Sequence, residues 1–382
     1  MKIEGRTFLI SGGASGLGAA TATEIVNHGG NAAILDMNEE DGQAFAQSLG
    51  PSARFFPCNV LETASVTSAV EGAAAWAASA KKPFGGVIPA AGVGLPAAML
   101  GRDNEPLPLD DFDFVLAVNL RGTIDLVRQT LPHLAAQPAS DPDGERGVVV
   151  MVASAAAFDG QRGQVAYAAS KGAVVAMTLP MTRDLARHGI RVATIAPSLF
   201  ESRMTSVLPD KVRKSLVGAT EFPRRPGQPE EFAALVRHVV ENVMLNGTVL
   251  RLDGGMRMPS KMSKLFCGPS SIITSYCNII ILTPVAYAAS KGAVVAMTLP
   301  MTRDLARHGI RVATIAPSLF ESRMTSVLPD KVRKSLVGAT EFPRRPGQPE
   351  EFAALVRHVV ENVMLNGTVL RLDGGMRMPS KM

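Results

Sequence analysis

Short, continuous apolar runs alternate with longer amphipathic stretches throughout the first 262 residues of the chain. Seven of these runs predict buried strands: RTFLIS, NAAILD, ARFFPC, GGVIPA, GVVVMVAS, IRVATIA and GTVLRLD. The stretches between them predict helices over residues 17–26, 39–49, 62–78, 110–133, 165–188 and 229–243. Buried strands that alternate with helices are typical of a parallel sheet covered on both faces. We therefore predict an α/β fold with a doubly wound, seven-stranded parallel sheet, and a ligand at the carboxyl ends of its strands.

The later part of this pattern occurs twice. Residues 165–262 recur without a single change as residues 285–382, at a constant offset of 120. Solenoid repeats are shorter, diverged and present in several copies, so a recent tandem duplication, or a gene prediction that joins one exon twice, fits better. We call 165–262 the first copy and 285–382 the second copy. The chain then divides into a complete unit (1–262), a linker (263–284) and a partial duplicate of the unit's C-terminal part.

The net charge of the whole chain, +5, comes from counting a basic segment twice. Residues 1–164 carry a net charge of −8 and each copy carries +6, so the complete unit has only −2. Charge therefore does not predict nucleic-acid binding. Cys58 is the only cysteine of the complete unit, which argues against a disulfide scaffold and for a reducing compartment.

Metal and membrane partners are not predicted either. No histidine stands at metal-ligand spacing from cysteines or carboxylates, and no apolar run reaches membrane-spanning length. The first strand begins so close to the N-terminus that no signal peptide is expected. A small molecule is the expected ligand.

A glycine-rich turn connects the first strand to the first helix. It reads Ser11-Gly12-Gly13-Ala14-Ser15-Gly16-Leu17-Gly18. Glycines are needed where the backbone turns tightly against a pyrophosphate, and the helix N-terminus supplies N–H donors. Asp36 ends the second strand, where a carboxylate accepts hydrogen bonds from an adenosine ribose and repels a 2′-phosphate. This Rossmann-type pattern predicts NAD(H) in preference to NADP(H); the alternative role for Asp36 is a helix cap.

Tyr167 and Lys171 lie four residues apart and therefore on one face of a predicted helix. Because a phenol titrates near 10, a nearby ammonium is expected to lower its pKa for proton exchange at neutral pH. Ser154 stands at the end of the fifth strand and can hydrogen-bond a substrate oxygen. Each residue alone also fits an ordinary helix face or strand end, but together they indicate a proton-transfer site.

These motifs resemble the short-chain dehydrogenase/reductase family. The glycine pattern, Asn119 in VNLRGT, Ser154 and Tyr167-xxx-Lys171 match the family across the whole complete unit. ASAAAFDGQRGQVAYAASKG, MTLPMTRDLARHGIRVATIAPSLF and LNGTVLRLDGGMRM are similar to its type-2 3-hydroxyacyl-CoA dehydrogenases, also described as 17β-hydroxysteroid dehydrogenase type 10. The resemblance implies an NAD-dependent enzyme that oxidises a secondary alcohol by hydride transfer, with a 3-hydroxyacyl-CoA as the best substrate.

The resemblance also implies a role for each site residue. Tyr167 is expected to be the general acid/base, Lys171 to lower its pKa and hold the nicotinamide ribose, Ser154 to orient the substrate oxygen, and Asn119 to hold a water in the proton relay. The expected cofactor contacts are Ser11, Gly12, Ser15, Gly16, Leu17, Gly18, Asp36, Asn59, Val60, Ala91, Gly92, Tyr167, Lys171, Pro197, Leu199, Phe200 and Ser202.

Three positions depart from the family pattern. Asn59 replaces the usual Asp beside the adenine, Ser198 replaces a Gly near the nicotinamide, and Pro89 stands where the family has a backbone-bracing Asn. None of them removes a catalytic group, so we expect activity, with cofactor affinity and rate reduced.

The second copy carries Tyr287 and Lys291 but no counterpart of the glycine turn, Asp36, Asn119 or Ser154. It could work only by displacing the first copy, which would loop out 120 residues at an entropic cost of about 4 kcal/mol. We therefore predict that the first copy holds the site by about a thousandfold. The second copy is expected to be non-catalytic and partly ordered at best, with apolar faces that lack a partner. The resemblance implies a homotetramer for the complete unit, which the second copy would hinder.

The chain ends Ser380-Lys381-Met382, one residue away from the peroxisomal address Ser-Lys-Leu. We expect a peroxisomal location, with the cytoplasm as the alternative. Two other functions stay open: a steroid or small-alcohol dehydrogenase/reductase, because substrate loops tolerate change, and an impaired NAD-binding partner subunit.

Overall fold

A seven-stranded parallel sheet with the strand order β3-β2-β1-β4-β5-β6-β7 forms the centre of the protein. The computed structural model describes residues 1–139, 144–206, 208–220, 223–243, 245–254, 256, 270–275, 284–339, 345–361 and 367–373. The seven strands are β1 (Thr7–Ser11), β2 (Asn31–Asp36), β3 (Ala53–Pro57), β4 (Phe84–Pro89), β5 (Gly147–Val152), β6 (Ile190–Pro197) and β7 (Val249–Leu252). The predicted fold is confirmed, and every predicted strand overlaps an observed one.

Helices cover both faces of this sheet because successive strand residues point to opposite sides. The helices of the complete unit are α1 (Gly16–Asn27), α2 (Glu39–Ser48), α3 (Thr63–Ser79), α4 (Leu109–Leu116), α5 (Thr123–Ala135), α6 (Ala156–Asp159), α7 (Val165–Leu185), α8 (Arg203–Ser206), α9 (Asp210–Gly218) and α10 (Pro229–Glu241). Leu9 belongs to the apolar cluster under α3, α5 and α7, whereas Ile10 belongs to the cluster under α1, α2 and α10.

The helix predicted over residues 110–133 is not regular throughout. A π-helical turn at Ala117–Gly122 separates α4 from α5. Such turns often mark functional positions, and Asn119 lies in this one. The hydrophobic periodicity of the sequence cannot detect a single wide turn inside a helix. It also did not predict the short helices α6, α8 and α9.

The second copy and the linker form a second, smaller sheet with the order β10-β9-β8. Its elements are β8 (Ser270–Ser275), α11 (Pro284–Leu305), β9 (Ile310–Pro317), α12 (Arg323–Ser326), α13 (Asp330–Gly338), α14 (Pro349–Glu361) and β10 (Thr368–Leu372). Ser270 pairs with Ile310 as Gly147 pairs with Ile190, so the linker strand β8 takes the place that β5 has beside β6.

This arrangement corrects one expectation about the second copy. Its faces do not lack partners, because β9 has a neighbour on each side and α11 packs lengthwise against α7. The expectation failed because it treated the linker as structureless and overlooked that α7 offers α11 a face of identical sequence. In the described part of the chain, no helix combines the length and apolar character needed to cross a membrane.

Candidate active site

A cleft of about 480 Å³ opens at the carboxyl ends of the central strands. Such an edge is where doubly wound sheets bind ligands. Most of the predicted site residues line it: Gly12, Ser15, Gly16, Leu17, Gly18, Asp36, Asn59, Val60, Ala91, Gly92, Ser154, Tyr167, Lys171, Pro197, Phe200 and Ser202. The sheet therefore brings the glycine turn and the Tyr167 helix, which are far apart in sequence, to one cleft.

The glycine turn is packed too tightly for other residues. Gly12 has a φ of 63°, and a Cβ there would lie 2.9 Å from the Cα of Ala91. A Cβ on Gly18 would lie 2.1 Å from the carbonyl oxygen of Gly12. Glycine is thus required both for the turn and for the close packing of α1 against it, which leaves the N-terminus of α1 open to the cleft.

Asp36 stands at the end of β2 and faces the glycine turn. Its carboxylate accepts hydrogen bonds from the backbone N–H of Ala14 at 3.1 Å and of Asn38 at 3.1 Å. The N-cap of α2 is Asn38, whose side chain accepts from the N–H of Asp41 at 3.2 Å. The helix-cap alternative for Asp36 is therefore wrong. Asp36 lines the cleft, with its negative charge where an adenosine ribose would lie.

Tyr167, Lys171 and Ser154 meet at the inner end of the cleft. Ser154 is the side chain whose polar group acts on the Tyr167 hydroxyl, and the Ser154 Oγ accepts from the N–H of Ala156 at 3.1 Å. The Lys171 Nζ donates to the carbonyl of Val152 at 3.0 Å and lies 5.8 Å from the centre of the Tyr167 ring. The helix α7 thus presents both side chains to the segment that follows β5.

Burial governs the pKa values of this group. It raises the pKa of Tyr167 above its usual value, and the Ser154 side chain opposes the rise only in part. It lowers the pKa of Lys171 to about 8. The predicted lowering of the Tyr167 pKa by the Lys171 ammonium stays a prediction.

Asn119 is fully buried and does not line the cleft. Its Oδ1 accepts from the N–H of Val93 at 2.8 Å, and its Nδ2 donates to the carbonyl of Val93 at 2.9 Å and to the Ser170 Oγ at 3.1 Å. The side chain thus joins the segment after β4 to α7, beside Lys171. Its observed role is to position these two segments, and the predicted role in a water relay stays a prediction.

Two other predicted cofactor contacts also lie behind the cleft wall. The Ser11 Oγ accepts from the N–H of Ala91 at 3.2 Å and so fixes the end of β4. Leu199 packs with Leu216 and Met256 in a small apolar cluster. The sequence placed both residues at strand ends but could not tell which way their side chains point.

Further residues line the cleft that were not among the predicted catalytic or cofactor-binding residues. They are Met37, Cys58, Leu61, Ala90, Val93, Phe114, Val118, Val152, Ala153, Ser198, Arg203, Met204 and Thr205. Arg203 also pairs with Asp41 across the outer rim at 2.6 Å, which fixes α8 near α2. Burial raises the pKa of the Cys58 thiol to about 11, with Asp36 and Asp125 adding to the shift, so this thiol stays protonated at neutral pH. Apolar residues of this kind carry no motif, so only the packing identifies them.

The three departures from the family pattern leave the cleft intact. The Asn59 Oδ1 accepts from the N–H of Leu61 at 3.1 Å, and its Nδ2 donates to Glu62 at 2.8 Å. Ser198 lies at the cleft wall, and Pro89 is buried at the end of β4. The predicted losses of affinity and rate stay predictions.

A nicotinamide dinucleotide fits the shape and charge of this cleft. Gly12 and Gly18 allow the tight turn that opens onto the cleft, the N-terminus of α1 offers N–H donors, and Asp36 offers acceptors for ribose hydroxyls. Gly92 and Lys171 both line the cleft, and a Cβ on Gly92 would be in contact with the Lys171 Nζ at 3.5 Å. Among the described residues, no group of three or more histidine, cysteine or acidic side chains could hold a metal ion.

Comparison with known proteins assigns this site to a class. Residues 6–213 match the short chain dehydrogenase family, and residues 261–377 match the family described as enoyl-(acyl carrier protein) reductase. The chain therefore belongs to the short-chain dehydrogenase family, and the prediction of an oxidoreductase is confirmed.

Individual relatives show which members of this family the chain resembles. The 3-hydroxyacyl-CoA dehydrogenase type-2 of Bos taurus is 44% identical over 260 residues, which are 67% of this chain and 97% of that protein. The crystal structure of a 3-hydroxyacyl-CoA dehydrogenase type-2 from Mycobacterium avium is 35% identical, with a TM-score of 0.63, and covers 67% of this chain and 98% of that one. A 3-ketoacyl-(acyl-carrier-protein) reductase from Brucella melitensis, solved with NADH, is 26% identical, with a TM-score of 0.58, and covers 66% and 99%.

Proposed function

We propose that the chain is an NAD(H)-dependent dehydrogenase that oxidises the 3-hydroxyl of a 3-hydroxyacyl-CoA to the 3-oxo group. The observation that carries this proposal is that Tyr167, Ser154 and buried Lys171 line the same cleft as the glycine turn and Asp36. The relatives named 3-hydroxyacyl-CoA dehydrogenase type-2 support the substrate class, and the NADH-bound neighbour supports the cofactor.

Ser154 and Tyr167 divide the work on the substrate oxygen. The Ser154 Oγ accepts from the N–H of Ala156, so its own proton can be donated to the substrate oxygen. Tyr167 exchanges a proton with the same oxygen as general acid or base. The glycine turn, Asp36 and Lys171 would hold a nicotinamide dinucleotide, which would supply the hydride chemistry at the substrate carbon. A hydride and a proton thus leave the secondary alcohol, and a carbonyl remains.

The buried surroundings of Tyr167 favour one direction at neutral pH. Because burial raises its pKa, the phenol is protonated and ready to donate a proton to a 3-oxo group. Oxidation requires the phenolate, which a cation close to the hydroxyl would stabilise. The Lys171 ammonium is the cation that α7 provides for this purpose, one turn away on the same helix face.

The preference for NAD(H) follows from Asp36. Its carboxylate stands where the 2′-phosphate of NADP(H) would lie, and the negative charges of the carboxylate and the phosphate would repel each other. Neither Ala14, Ser15 nor Met37 offers a positive charge. The substrate end is apolar, with Val93, Phe114, Val118 and Met204 in the cleft wall.

The test follows NADH formation from 3-hydroxybutyryl-CoA with the full chain. We expect turnover with NAD⁺, at least tenfold less with NADP⁺, and none with Tyr167→Phe. Free 3-hydroxybutyrate, a steroid alcohol and a small secondary alcohol serve as matched substrates that lack the CoA group. Faster turnover of one of these would favour the alternative dehydrogenase function. Binding of NADH without turnover of any substrate would favour an impaired partner subunit.

We further propose a homotetramer for the complete unit and a peroxisomal location for the chain. Ser380-Lys381-Met382, on which the location rests, lies outside the described residues. Fusion of a fluorescent protein to the N-terminus, with and without these three residues, tests the location. A diffuse signal from both proteins would favour the cytoplasm.

A further inference from the structure

Helices α7 and α11 have the same sequence, and they touch through the same residues. A Cβ on Gly172 would lie 2.2 Å from the Cβ of Ala296 and 3.0 Å from the carbonyl oxygen of Gly292. A Cβ on Gly292 would lie 2.2 Å from the Cβ of Ala176 and 2.9 Å from the carbonyl oxygen of Gly172. Gly292 and Ala296 are the copies of Gly172 and Ala176, so each of these contacts between the two helices has its reciprocal. This reciprocity defines a two-fold, self-complementary interface.

The far end of α11 reaches loops of the complete unit. Asp304 is 1% exposed, and its carboxylate accepts from the N–H of Gly163 at 2.8 Å and of Met99 at 3.2 Å. These two loops also bind each other, because the N–H of Ala97 donates to the carbonyl of Gly163 at 3.0 Å. A buried carboxylate that accepts two backbone N–H groups fixes the relative position of both segments.

Two arginines on either side of Asp304 complete this contact. Arg307 donates to the carbonyls of residues 100–101 at 2.5 and 2.6 Å, and Arg303 donates to the carbonyls of residues 159–160. The first loop continues from Val93 in the cleft wall, and the second leads through Gln164 directly into the Tyr167 helix. The second copy thus supports both segments that flank the substrate end of the cleft.

The corresponding residues of the first copy are Arg183, Asp184 and Arg187, and all three are exposed. The second copy contains nothing that corresponds to residues 97–101 or 159–163, because the repeat begins at residue 165. One half of the two-fold interface therefore presents its Asp to loops of a catalytic unit, and the other half presents Asp184 outward.

We propose that the second copy acts as a partner subunit within the chain: α11 occupies the self-association face of α7, and Asp304 positions the two loops that flank the substrate end of the cleft. In an assembly of two chains through α7, Asp184 of one chain would perform this task for the other. The kinetic part of this inference rests on the proposed dehydrogenase function. Asp304 is a positioning residue, since it touches backbone amides and no reacting atom.

The first experiment compares Asp304→Ala with Asp184→Ala in the full chain. We expect Asp304→Ala to raise the KM for the acyl-CoA about tenfold, with kcat and the KM for NAD⁺ within about twofold. Hydrogen exchange at the amides of Met99 and Gly163 should accelerate by about tenfold. Asp304→Asn, which keeps one acceptor oxygen, should recover part of both effects, and Asp184→Ala should change neither.

The second experiment frees the α7 face. In Gly292→Leu the larger side chain cannot fit against Ala176, so α11 should leave α7 and two chains should pair through α7. Light scattering should then report a doubled particle mass relative to the wild type. In this background Asp184→Ala should acquire the KM effect that Asp304→Ala has in the wild type.

Equal behaviour of the Asp184→Ala and Asp304→Ala variants in the wild-type background would overturn the proposal. An unchanged mass and unchanged kinetics of Gly292→Leu would also contradict it. If Gly292→Leu aggregates, the hydrogen-exchange comparison of the two aspartate variants decides. If the wild type shows no turnover, the proposed function fails, and the exchange rates at Met99 and Gly163 still test the positioning role.

Discussion

The two copies share one sequence but have different surroundings. A comparison of the two therefore distinguishes the features that the local sequence determines from those that the surrounding structure determines. Each helix runs into the same 3₁₀ turn and then a left-handed glycine with a φ of 67°, Gly189 in one copy and Gly309 in the other. The hydroxyl groups of Thr178 and Thr194 lie 2.7 Å apart, and those of the corresponding second-copy pair lie 2.6 Å apart. Elements, turns and short-range hydrogen bonds therefore follow from the local sequence alone.

The local sequence does not determine whether a copy forms an active site. Lys291 lies 5.4 Å from the centre of the Tyr287 ring, close to the 5.8 Å of the Lys171–Tyr167 pair. Tyr287 is nevertheless 38% exposed, and no residue of the second copy corresponds to Ser154. The Tyr–Lys pair is thus a property of one helix, whereas the active site requires residues 1–164 as well.

A large difference in rate should appear when the two lysines are replaced in turn. Lys171→Ala removes the ammonium beside Tyr167 and the cofactor ribose, and we expect kcat/KM to fall by about a hundredfold to a thousandfold. Lys291→Ala should leave kcat/KM unchanged, and it serves as the matched control on an identical helix. The measurement is NADH formation by each full-length variant. A loss of activity in Lys291→Ala would mean that the second copy takes part in catalysis.

The next largest effect concerns the stability of the complete unit. Arg191 is buried, pairs with Glu145 at 2.7 Å and donates to four carbonyls of the segment from α10 to β7. Its counterpart Arg311 donates to the carbonyls of Val359 and Val360, and the second copy has no residue that corresponds to Glu145.

We therefore expect Arg191→Ala to lower the free energy of unfolding by about 3 kcal/mol, since it removes one of the two cations that pair with the buried Glu145 carboxylate, the other being the N-terminal ammonium at 2.8 Å. Arg311→Ala should cost the complete unit little. Trp76 is the only tryptophan and lies in α3, so its fluorescence during urea unfolding reports on the complete unit alone. Equal midpoints for the two variants would contradict the comparison.

A smaller effect should appear in the pH dependence of NADH binding, which we expect to depend on Lys171 of the first copy. Burial lowers the pKa of Lys171 from its ordinary 10.5 to about 8, so the ammonium is lost as the pH rises through about 8. The affinity for NADH should therefore fall above this pH, by up to about tenfold per pH unit. Between about 8 and 10.5 only the unfolded state binds this proton, so the free energy of unfolding should rise across the same window.

Titration of NADH binding from neutral to alkaline pH tests this expectation. Lys171→Met should remove the inflection, and Lys291→Met should retain it. An inflection that persists in Lys171→Met would assign the titration to another group.

The sequence predicted the fold well because the strands are short, apolar and buried on both faces, as in NAAILD, which is β2 to the residue. It also identified the residues whose chemistry depends on type and spacing, such as Asp36 and the Tyr167–Lys171 pair. It could not predict side-chain direction, as for Ser11 and Leu199, which lie behind the cleft wall.

The sequence also failed where long-range packing decides. The strand β8 pairs with β9, and the helix α11 packs against α7. The hydrophobic periodicity of a sequence predicts strands and helices, but it does not predict which of them pack together. The pKa of Tyr167 likewise depends on the burial that the whole fold imposes.

The most direct measurement compares Tyr167→Phe and Tyr287→Phe in the full chain, with NADH formation from 3-hydroxybutyryl-CoA as the readout. We predict that Tyr167→Phe lowers kcat by about a thousandfold or more while NADH still binds, and that Tyr287→Phe equals the wild type. A comparable loss of rate in Tyr287→Phe would contradict the central claim that surroundings, and not the shared sequence, assign catalysis to the first copy.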